Sequence, residues 1–190
     1  MQDYDIIFPR GNETKLIEMA KRLGWEKLYL VYALDECLAA KKEKNEWDCC
    51  GLELNLGVVA TPKNIQEATR MSEFVIVRST LDPNIDRQLF ENKRIKMIYD
   101  LELTGRRDSY HHRNSGLNQV LCKLAAKNGI TIGLSFNSLL AVSGMRRAQI
   151  LGRMKQNIRF CEKFGVKKVV GSFARDEWEM RGKCDIGLLL

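Results

Sequence analysis

One segment, Gly105–Ala126, concentrates the side chains that are most able to take part in chemistry. It reads GRRDSYHHRNSGLNQVLCKLAA and contains both histidines of the 190-residue chain, His111 and His112. Its cationic side chains are Arg106, Arg107, Arg113 and Lys123. Planar guanidinium groups suit phosphate oxygens, so the residue types predict an anion-binding segment.

The second half of this segment has the spacing of an amphipathic helix. Its apolar face is formed by Leu117, Leu121, Leu124 and Ala125. Asn114 or Ser115 is predicted to cap the helix. Free backbone N–H groups and the helix dipole favour anions at such an N-terminus, which strengthens the prediction of a phosphate site.

The elements that position this segment follow a regular alternation of strand and helix. Predicted strands start near residues 5, 28, 52, 74 and 96, with a helix in each interval, and two more strands follow at 130–136 and 168–174. Strands that alternate with helices form a parallel sheet covered on both faces, as a closed barrel or an open doubly wound sheet. The even spacing and the lack of a glycine-rich dinucleotide motif favour a compact parallel (β/α) TIM-like barrel. We expect seven or eight strands in a single domain spanning residues 1–190.

Two helix starts are predicted from a capping residue followed by proline, at Thr61-Pro62 and at Asp82-Pro83. Glycine is expected to end helices at Gly24, Gly129 and Gly165. A long helix over residues 144–163 is predicted to bury an apolar stripe. That stripe consists of Met145, Ala148, Leu151, Met154, Ile158 and Cys161.

Further arginines fall near the predicted strand ends. Ligands of parallel barrels bind where the strands end at their carboxyl termini. Arg10 follows the first strand, Arg78 ends the fourth, Arg87 lies in the next helix, and Arg175 follows the seventh strand. We therefore predict a rim that binds phosphate, although polar loops contain some arginines in any protein.

A second basic surface is predicted on residues 144–175, which carry many lysines and arginines and one acid, Glu162. Arg146 and Arg153 are expected to share a face of the long helix, away from its apolar stripe. A solvated helix face and an RNA-binding face remain equally open readings of this charge.

The net charge indicates the kind of partner, and the spacing of the cysteines indicates the redox compartment. The formal net charge is +7, which fits an anionic partner, with nucleic acid favoured. The six cysteines show neither disulfide nor zinc spacing, which predicts a reduced, cytoplasmic protein. The N-terminus lacks a basic region followed by a long apolar run, so no signal peptide is expected.

Catalytic patterns are sparse. A metal-dependent hydrolase needs several His, Asp or Glu side chains that converge, and the two histidines here are adjacent. Asp35, Asp100 and Asp108 are expected near the rim, but no spacing joins them into a site. The sequence contains no phosphate-binding P-loop. We therefore expect no catalytic residue and no metal ligand in this chain.

Four segments carry a resemblance to a known family. They are DIIFPRGNETKLIEMAKRLGW, FVIVRSTLDPNIDRQLFENKRIKMIYDLEL, YHHRNSGLNQVLCKLAAKNGITIGLSF and KVVGSFARDEWEMRG. Together they cover most of the chain, and the block ending in HRNSGLNQVL is the most specific. The sequence resembles the TIM-barrel protein subunit of archaeal ribonuclease P, called protein component 3, which is related to a subunit of the eukaryotic nuclear enzyme.

This resemblance implies a role in the maturation of the 5′ end of precursor tRNA. In that family the RNA subunit performs the hydrolysis with Mg²⁺, and the protein binds this RNA and another small protein subunit. No cofactor is expected in this chain itself. The RNA-binding candidates are Arg10, Arg78, Arg87, Arg106, Arg107, His112, Arg113, Lys123 and Arg175.

Two other hypotheses remain at this point. The chain could be a stand-alone phosphoesterase that uses the basic rim for a small phosphorylated substrate. It could also be a structural protein whose basic face binds an acidic protein. A convergent cluster of carboxylates and histidines would distinguish the enzyme from the other two.

Overall fold

Seven parallel strands form one sheet, and each strand pairs with the next one in the chain. The computed structural model describes residues 3–44, 47–49, 51–110 and 113–188. The strands are β1 (Tyr4–Ile7), β2 (Lys27–Tyr32), β3 (Glu53–Ala60), β4 (Phe74–Arg78), β5 (Met97–Tyr99), β6 (Thr131–Ser135) and β7 (Lys168–Gly171). The helices are α1 (Glu13–Arg22), α2 (Cys37–Glu43), α3 (Ile65–Met71), α4 (Pro83–Glu91), α5 (Gln119–Asn128), α6 (Phe136–Leu140), α7 (Gly144–Phe164) and α8 (Lys183–Gly187). A 3₁₀ turn, Leu101–Leu103, follows β5.

The sheet curves until its first and last strands meet. Ile7 forms a parallel bridge with Ala174, and the Phe8 N–H donates to the Ala174 carbonyl at 2.7 Å. Beside this bridge, the buried Asp5 carboxylate accepts the Ser172 N–H at 2.6 Å. A side chain thus supplies a hydrogen bond where the β1–β7 ladder is short. The predicted TIM-like barrel is confirmed, nearly closed and with seven strands.

Two apolar cores hold the barrel together. The interior of the barrel is filled by one cluster, consisting of Ile6, Val31, Ile76, Met97, Tyr99, Val169 and Phe173. A larger cluster lies between the strands and the surrounding helices. Each fully buried Ile, Leu or Phe contributes roughly 1.5–3 kcal/mol relative to an exposed side chain. Because both faces of the sheet are largely covered, β4 and β5 are nearly continuous apolar runs, whereas β3 begins with alternating polar and apolar residues.

Most predicted element boundaries agree with the structure to within a few residues. Gly129 and Gly165 end α5 and α7 in the left-handed conformation, at φ values of 70° and 65°. Asp82 caps α4, with proline at the first helical position, as predicted. The predicted helix start at Thr61-Pro62 is wrong. The Asn64 side chain accepts the Thr61 N–H at 2.7 Å, which forms a turn and delays α3.

No helix in the described ranges is both long enough and apolar enough to span a membrane. The described cysteines are free thiols, and three of them are buried. These are Cys37, Cys122 and Cys161.

Candidate functional site

An open groove of about 720 Å³ lies beside α4 and α5, at the end of the barrel where the strands terminate. Three of the predicted arginines line it: Arg87 from α4, and Arg106 and Arg113 from the loop before α5. Polar and apolar side chains lie between them, including Asn84, Asn114, Leu81, Val120 and Phe160. We call this feature the arginine groove. The structure thus gathers three cations that are up to 26 residues apart in the sequence.

The α4 wall of the arginine groove is fixed by two aspartates. Asp82 accepts hydrogen bonds from the N–H groups of Asn84 and Ile85 at the start of the helix. Asp86 is buried and accepts the Ser79 hydroxyl at 2.6 Å and the Thr80 N–H at 2.8 Å. These bonds fix the turn after β4 against the helix that carries Arg87. The exposed Arg87 side chain contacts Glu91 at 3.3 Å, which screens part of its charge.

A buried arginine holds the loop on the other side of the groove. Arg153 of α7 is fully buried, and its guanidinium donates to the carbonyls of Glu102 (3.1 Å), Thr104 (2.7 Å) and Arg106 (2.5 Å). Its Nε also donates to Asp108 at 2.9 Å. This fork of donors therefore ties four points of the loop to α7, and Arg106 is one of them.

Asp108 is the centre of a second set of contacts within the loop. It accepts the Asn114 N–H at 2.8 Å and the Gln149 amide at 3.2 Å, in addition to Arg153. Partial burial alone would raise the pKa of Asp108. The hydrogen bonds from Arg153, Asn114 and Gln149 outweigh it and hold the pKa below its ordinary value. Asp108 is therefore an ionised structural residue of the loop at neutral pH.

Arg113 is held in place by its backbone. Its N–H donates to Gln156 Oε1 at 3.2 Å, and its carbonyl accepts from Gln156 Nε2 at 2.7 Å. Its side chain lies against Gly152 of α7, where a Cβ would come within 2.7 Å of the Arg113 Nε. The missing side chain at position 152 therefore gives the guanidinium its path into the arginine groove.

The predicted cap of the following helix is wrong. Asn118 caps α5, where its side chain accepts the N–H groups of Val120 and Leu121. Asn114 is occupied in the loop, and Ser115 is buried with its hydroxyl hydrogen-bonded to Gln156. Gly116, at φ 77°, crosses the Leu101 carbonyl so closely that a Cβ would overlap it. The chain therefore needs two more residues before the helix can begin.

Three other predicted arginines lie at the end of the barrel axis. Arg78 donates from Nε to Asp100 at 2.8 Å, and Asp100 also accepts the Ser138 hydroxyl at 2.7 Å. Burial and Asp100 raise the pKa of Tyr99, whereas the nearby charges of Arg78 and Arg175 oppose that rise. The side chain of Asn12 is hydrogen-bonded to the backbone of both Arg10 and Arg175.

The Asn12 side chain bridges the first and last loops of the rim. Its Oδ1 accepts the Arg10 N–H at 2.9 Å, and its Nδ2 donates to the Arg175 carbonyl at 3.0 Å. Both arginines are exposed. The rim arginines thus form two groups, one in the arginine groove and one around the barrel axis.

Three candidates remain. Arg107 and Lys123 are exposed and do not line the arginine groove. His112, like His111, lies outside the described residues. Whether any of the nine candidates contacts RNA stays a prediction.

The predicted second basic surface needs correction. Arg153 is buried, so it does not share a solvent-facing helix surface with Arg146. Arg146 donates to the Leu103 carbonyl at 3.1 Å, and Arg147 donates to the Leu139 and Val142 carbonyls at 2.9 and 2.7 Å. These arginines hold backbone carbonyls near the rim. Three of the basic side chains in residues 144–175 therefore have a structural role.

The carboxylates do not assemble into a metal site in the described part of the chain. No group of three or more His, Cys, Asp or Glu side chains there could hold a metal ion. Asp100 and Asp108 instead form ion pairs with Arg78 and Arg153.

Comparisons with known proteins agree with one another. The model of the family described as RNase P subunit p30 matches residues 4–190. A ribonuclease P protein component 3 from Methanosarcina barkeri is 28% identical over 182 residues, covering 91% of this chain and 72% of the relative. Its counterpart from Methanosarcina acetivorans is 32% identical over 102 residues, covering 54% of this chain and 39% of the relative. That alignment spans well under two thirds of the relative.

A solved structure shares the fold. One chain of the cryo-EM structure of archaeal ribonuclease P with mature tRNA superposes with a TM-score of 0.74 at 21% identity. The superposition covers 96% of this chain and 78% of that chain. At this identity the likeness supports the barrel architecture.

Proposed function

Because this chain belongs to the RNase P subunit p30 family, we propose that it is a protein subunit of ribonuclease P. This ribonucleoprotein cleaves precursor tRNA to generate the mature 5′ end. The chain binds the catalytic RNA and another small protein subunit, and it stabilises the RNA fold. The RNA carries the catalysis with its Mg²⁺ ions. A cytoplasmic location stays a prediction from the free cysteines.

The arginine groove is the observation that best supports RNA binding. Arg106 and Arg113 are exposed, and neither side chain has a carboxylate partner among the described residues. The backbone at both residues is held before any ligand arrives, because Arg153 donates to the Arg106 carbonyl and Gln156 donates to the Arg113 carbonyl. RNA binding therefore does not have to order this part of the loop, which lowers the entropic cost of a contact with phosphate. The groove is therefore our proposed contact for the RNA backbone.

The alternative of a stand-alone phosphoesterase has less support. Its metal would need a cluster of His, Cys, Asp or Glu ligands, and no such cluster forms in the described ranges. His111 and His112 lie outside those ranges. We therefore assign the hydrolysis to the RNA subunit.

Reconstitution of precursor-tRNA cleavage tests the proposal. We expect this chain to stimulate cleavage when the RNA subunit is present, and to be inactive alone. The variant Arg87→Ala/Arg106→Ala/Arg113→Ala is expected to bind the RNA subunit at least about tenfold more weakly at low salt. Its log affinity should also fall less steeply with log salt, by about 0.9 for each lost phosphate contact.

The control is a variant with the same charge loss, Lys21→Ala/Lys42→Ala/Lys63→Ala, whose lysines are exposed and outside the arginine groove. Thermal melts of both variants should match the parent, because no buried contact is removed. Equal salt slopes for the groove variant and the parent would show that RNA does not contact this groove. Hydrolysis by the protein without RNA would contradict the assignment of catalysis.

A further inference from the structure

The opposite end of the barrel carries a second depression, of about 880 Å³. We call it the N-terminal mouth, because its lining comes from the first residues of several strands and from the loops before them. These include Tyr29, Asn55, Phe74, Lys96, Thr131 and Lys167. In a parallel barrel this end faces away from the rim, and none of the eight RNA-binding candidates that the structure describes lines it.

Two aromatic rings, packed against each other at a tilt, lie at the floor of the N-terminal mouth. The rings of Tyr29 and Phe74 are half-buried, with centroids 4.0 Å apart and planes inclined at 31°. Gly57 makes this arrangement possible, since a Cβ there would lie 2.8 Å from Phe74 Cδ1. Partly exposed aromatic faces in a cavity are a platform on which a nucleic-acid base can stack.

The strand register creates the opening. β4 begins at Phe74, which pairs with Gly57 in the middle of β3. The earlier residues of β3 therefore pair with β2 alone, from Glu53 to Leu56. This offset leaves a gap next to the aromatic floor. Asn55 faces the gap and donates to Glu53 at 2.9 Å, which leaves its carbonyl oxygen as an acceptor.

Four cations surround this floor, and they come from four separate segments: Lys41 from α2, Arg70 from α3, Lys96 before β5 and Lys167 before β7. All four are exposed, and none forms an ion pair with a described residue. Glu73 is the one acidic side chain in the lining.

A solvated helix face would carry its charges along one helix, with acids interspersed. Here separate elements bring like charges to one cavity, where they repel each other in the absence of a ligand. Such an arrangement raises the local concentration of anions and favours their binding.

We propose that the N-terminal mouth binds an unpaired nucleotide of RNA. The base stacks on the face of Phe74 that is turned away from Tyr29, since the Tyr29 ring already contacts Phe74, Tyr4 and Lys27. The phosphates lie among the surrounding cations. Double-stranded RNA does not offer a free base face, so the site selects single-stranded segments, bulges or ends. The chain would then hold RNA at both ends of its barrel. This inference does not depend on the arginine groove.

Binding of short single-stranded RNA by the full chain tests the proposal. The probes are a labelled hexamer of adenylate and an abasic ribose-phosphate hexamer of the same length and charge. The protein carries the three groove substitutions, Arg87→Ala/Arg106→Ala/Arg113→Ala, so that the groove does not contribute. We expect the adenylate hexamer to bind at least about tenfold more tightly than the abasic one, because base stacking adds to the phosphate contacts. Because both hexamers are measured on the same protein, a difference in affinity cannot come from a change in the barrel interior.

Charge substitutions locate the site. Lys96→Ala/Lys167→Ala is expected to weaken binding of the adenylate hexamer and to reduce its salt slope by about 0.7 for each lost contact. The matched control, Lys21→Ala/Lys63→Ala, removes two exposed lysines that do not line the mouth and should change neither quantity. A hexamer containing 4-thiouridine should crosslink to peptides that contain Tyr29 or Phe74.

Three results would overturn the proposal. The first is equal affinity for the adenylate and abasic hexamers. The second is equal behaviour of the mouth and control variants. The third is competition by polyglutamate as effective as competition by RNA, which would instead indicate an acidic protein segment. The second result, together with weakened binding of the RNA subunit by the groove variant, would leave the proposed function intact.

Discussion

Replacement of Arg153 by alanine is expected to lower the free energy of unfolding by about 3–5 kcal/mol. The guanidinium is fully buried, and its removal leaves Asp108 and three backbone carbonyls without their donor. For a chain of this length, a loss of that size lowers the melting temperature by about 10 °C. Chemical denaturation monitored by circular dichroism measures the free energy, and calorimetry measures the melting temperature.

Two comparisons separate the contribution of the guanidinium from that of charge. Arg153→Lys keeps the positive charge, but a compact ammonium cannot reach all the acceptors of the planar fork, so we expect an intermediate loss. Arg159→Ala removes an exposed arginine from the same helix and should change stability by less than about 0.5 kcal/mol. A melting temperature of Arg153→Ala within 2 °C or so of the parent would show that the loop is held by other contacts.

Arg153→Ala is also expected to weaken RNA binding by the arginine groove. Arg153 holds the carbonyl of Arg106, and Asp108 holds the N–H of Asn114 beside Arg113. Without Arg153 the two groove arginines of the loop lose their fixed positions. RNA binding by folded Arg153→Ala should therefore weaken, even though this side chain is too deeply buried to contact RNA.

The architecture was predictable because every strand is buried on both faces. Short apolar runs such as Phe74–Arg78 stand at even spacing between amphipathic helices, and that alternation permits few topologies. Gly129 and Gly165 marked the helix ends correctly, since glycine readily adopts the left-handed conformation required there. The choice between seven and eight strands depended on the closure at Ile7 and Ala174, a contact across the whole chain.

The error in the apolar stripe of α7 arose because two of its buried side chains are polar. Arg153 and Asn157 lie on the buried face of α7 together with Ile150, Met154 and Ile158. The spacing of these positions is helical, but the sequence rule counted apolar residues alone. It therefore placed Met145 on the buried stripe, although that side chain is 88% exposed. The buried stripe could have been found by testing whether polar residues continue the helical period.

The sequence predicted which arginines lie near the rim of the barrel, but not which residues they contact. Strand ends correctly placed Arg10, Arg78 and Arg175 at one end of the barrel. No sequence pattern predicts that Arg78 pairs with Asp100 or that Arg106 and Arg113 share a groove with Arg87, because tertiary contacts decide both.

Glu102 is expected to make stability depend strongly on pH. Its carboxyl group is fully buried, and neither oxygen has a hydrogen-bond partner in the described part of the chain. Burial, reinforced by the nearby Asp100, raises the pKa of Glu102 to about 8. The folded protein therefore binds this proton more tightly than the unfolded chain does. Stability is then greatest below the unfolded pKa, near 4.5, and falls as the pH rises towards 8.

The expected loss across this window is about 4 kcal/mol, and substitution of Glu102 by glutamine should abolish it. Asp5 also has a raised pKa, of about 6, and its contribution to the slope is nearly complete one pH unit above that value. The slope between pH 7 and 8, measured from unfolding by urea at several pH values, therefore separates Glu102 from Asp5. Because glutamine buries an unbonded amide, Glu102→Gln is expected to be no more stable than the parent at pH 5, yet it should be the more stable protein at pH 8.5. Parallel pH profiles for the two proteins would mean that Glu102 remains ionised, which requires a cationic partner for its carboxylate.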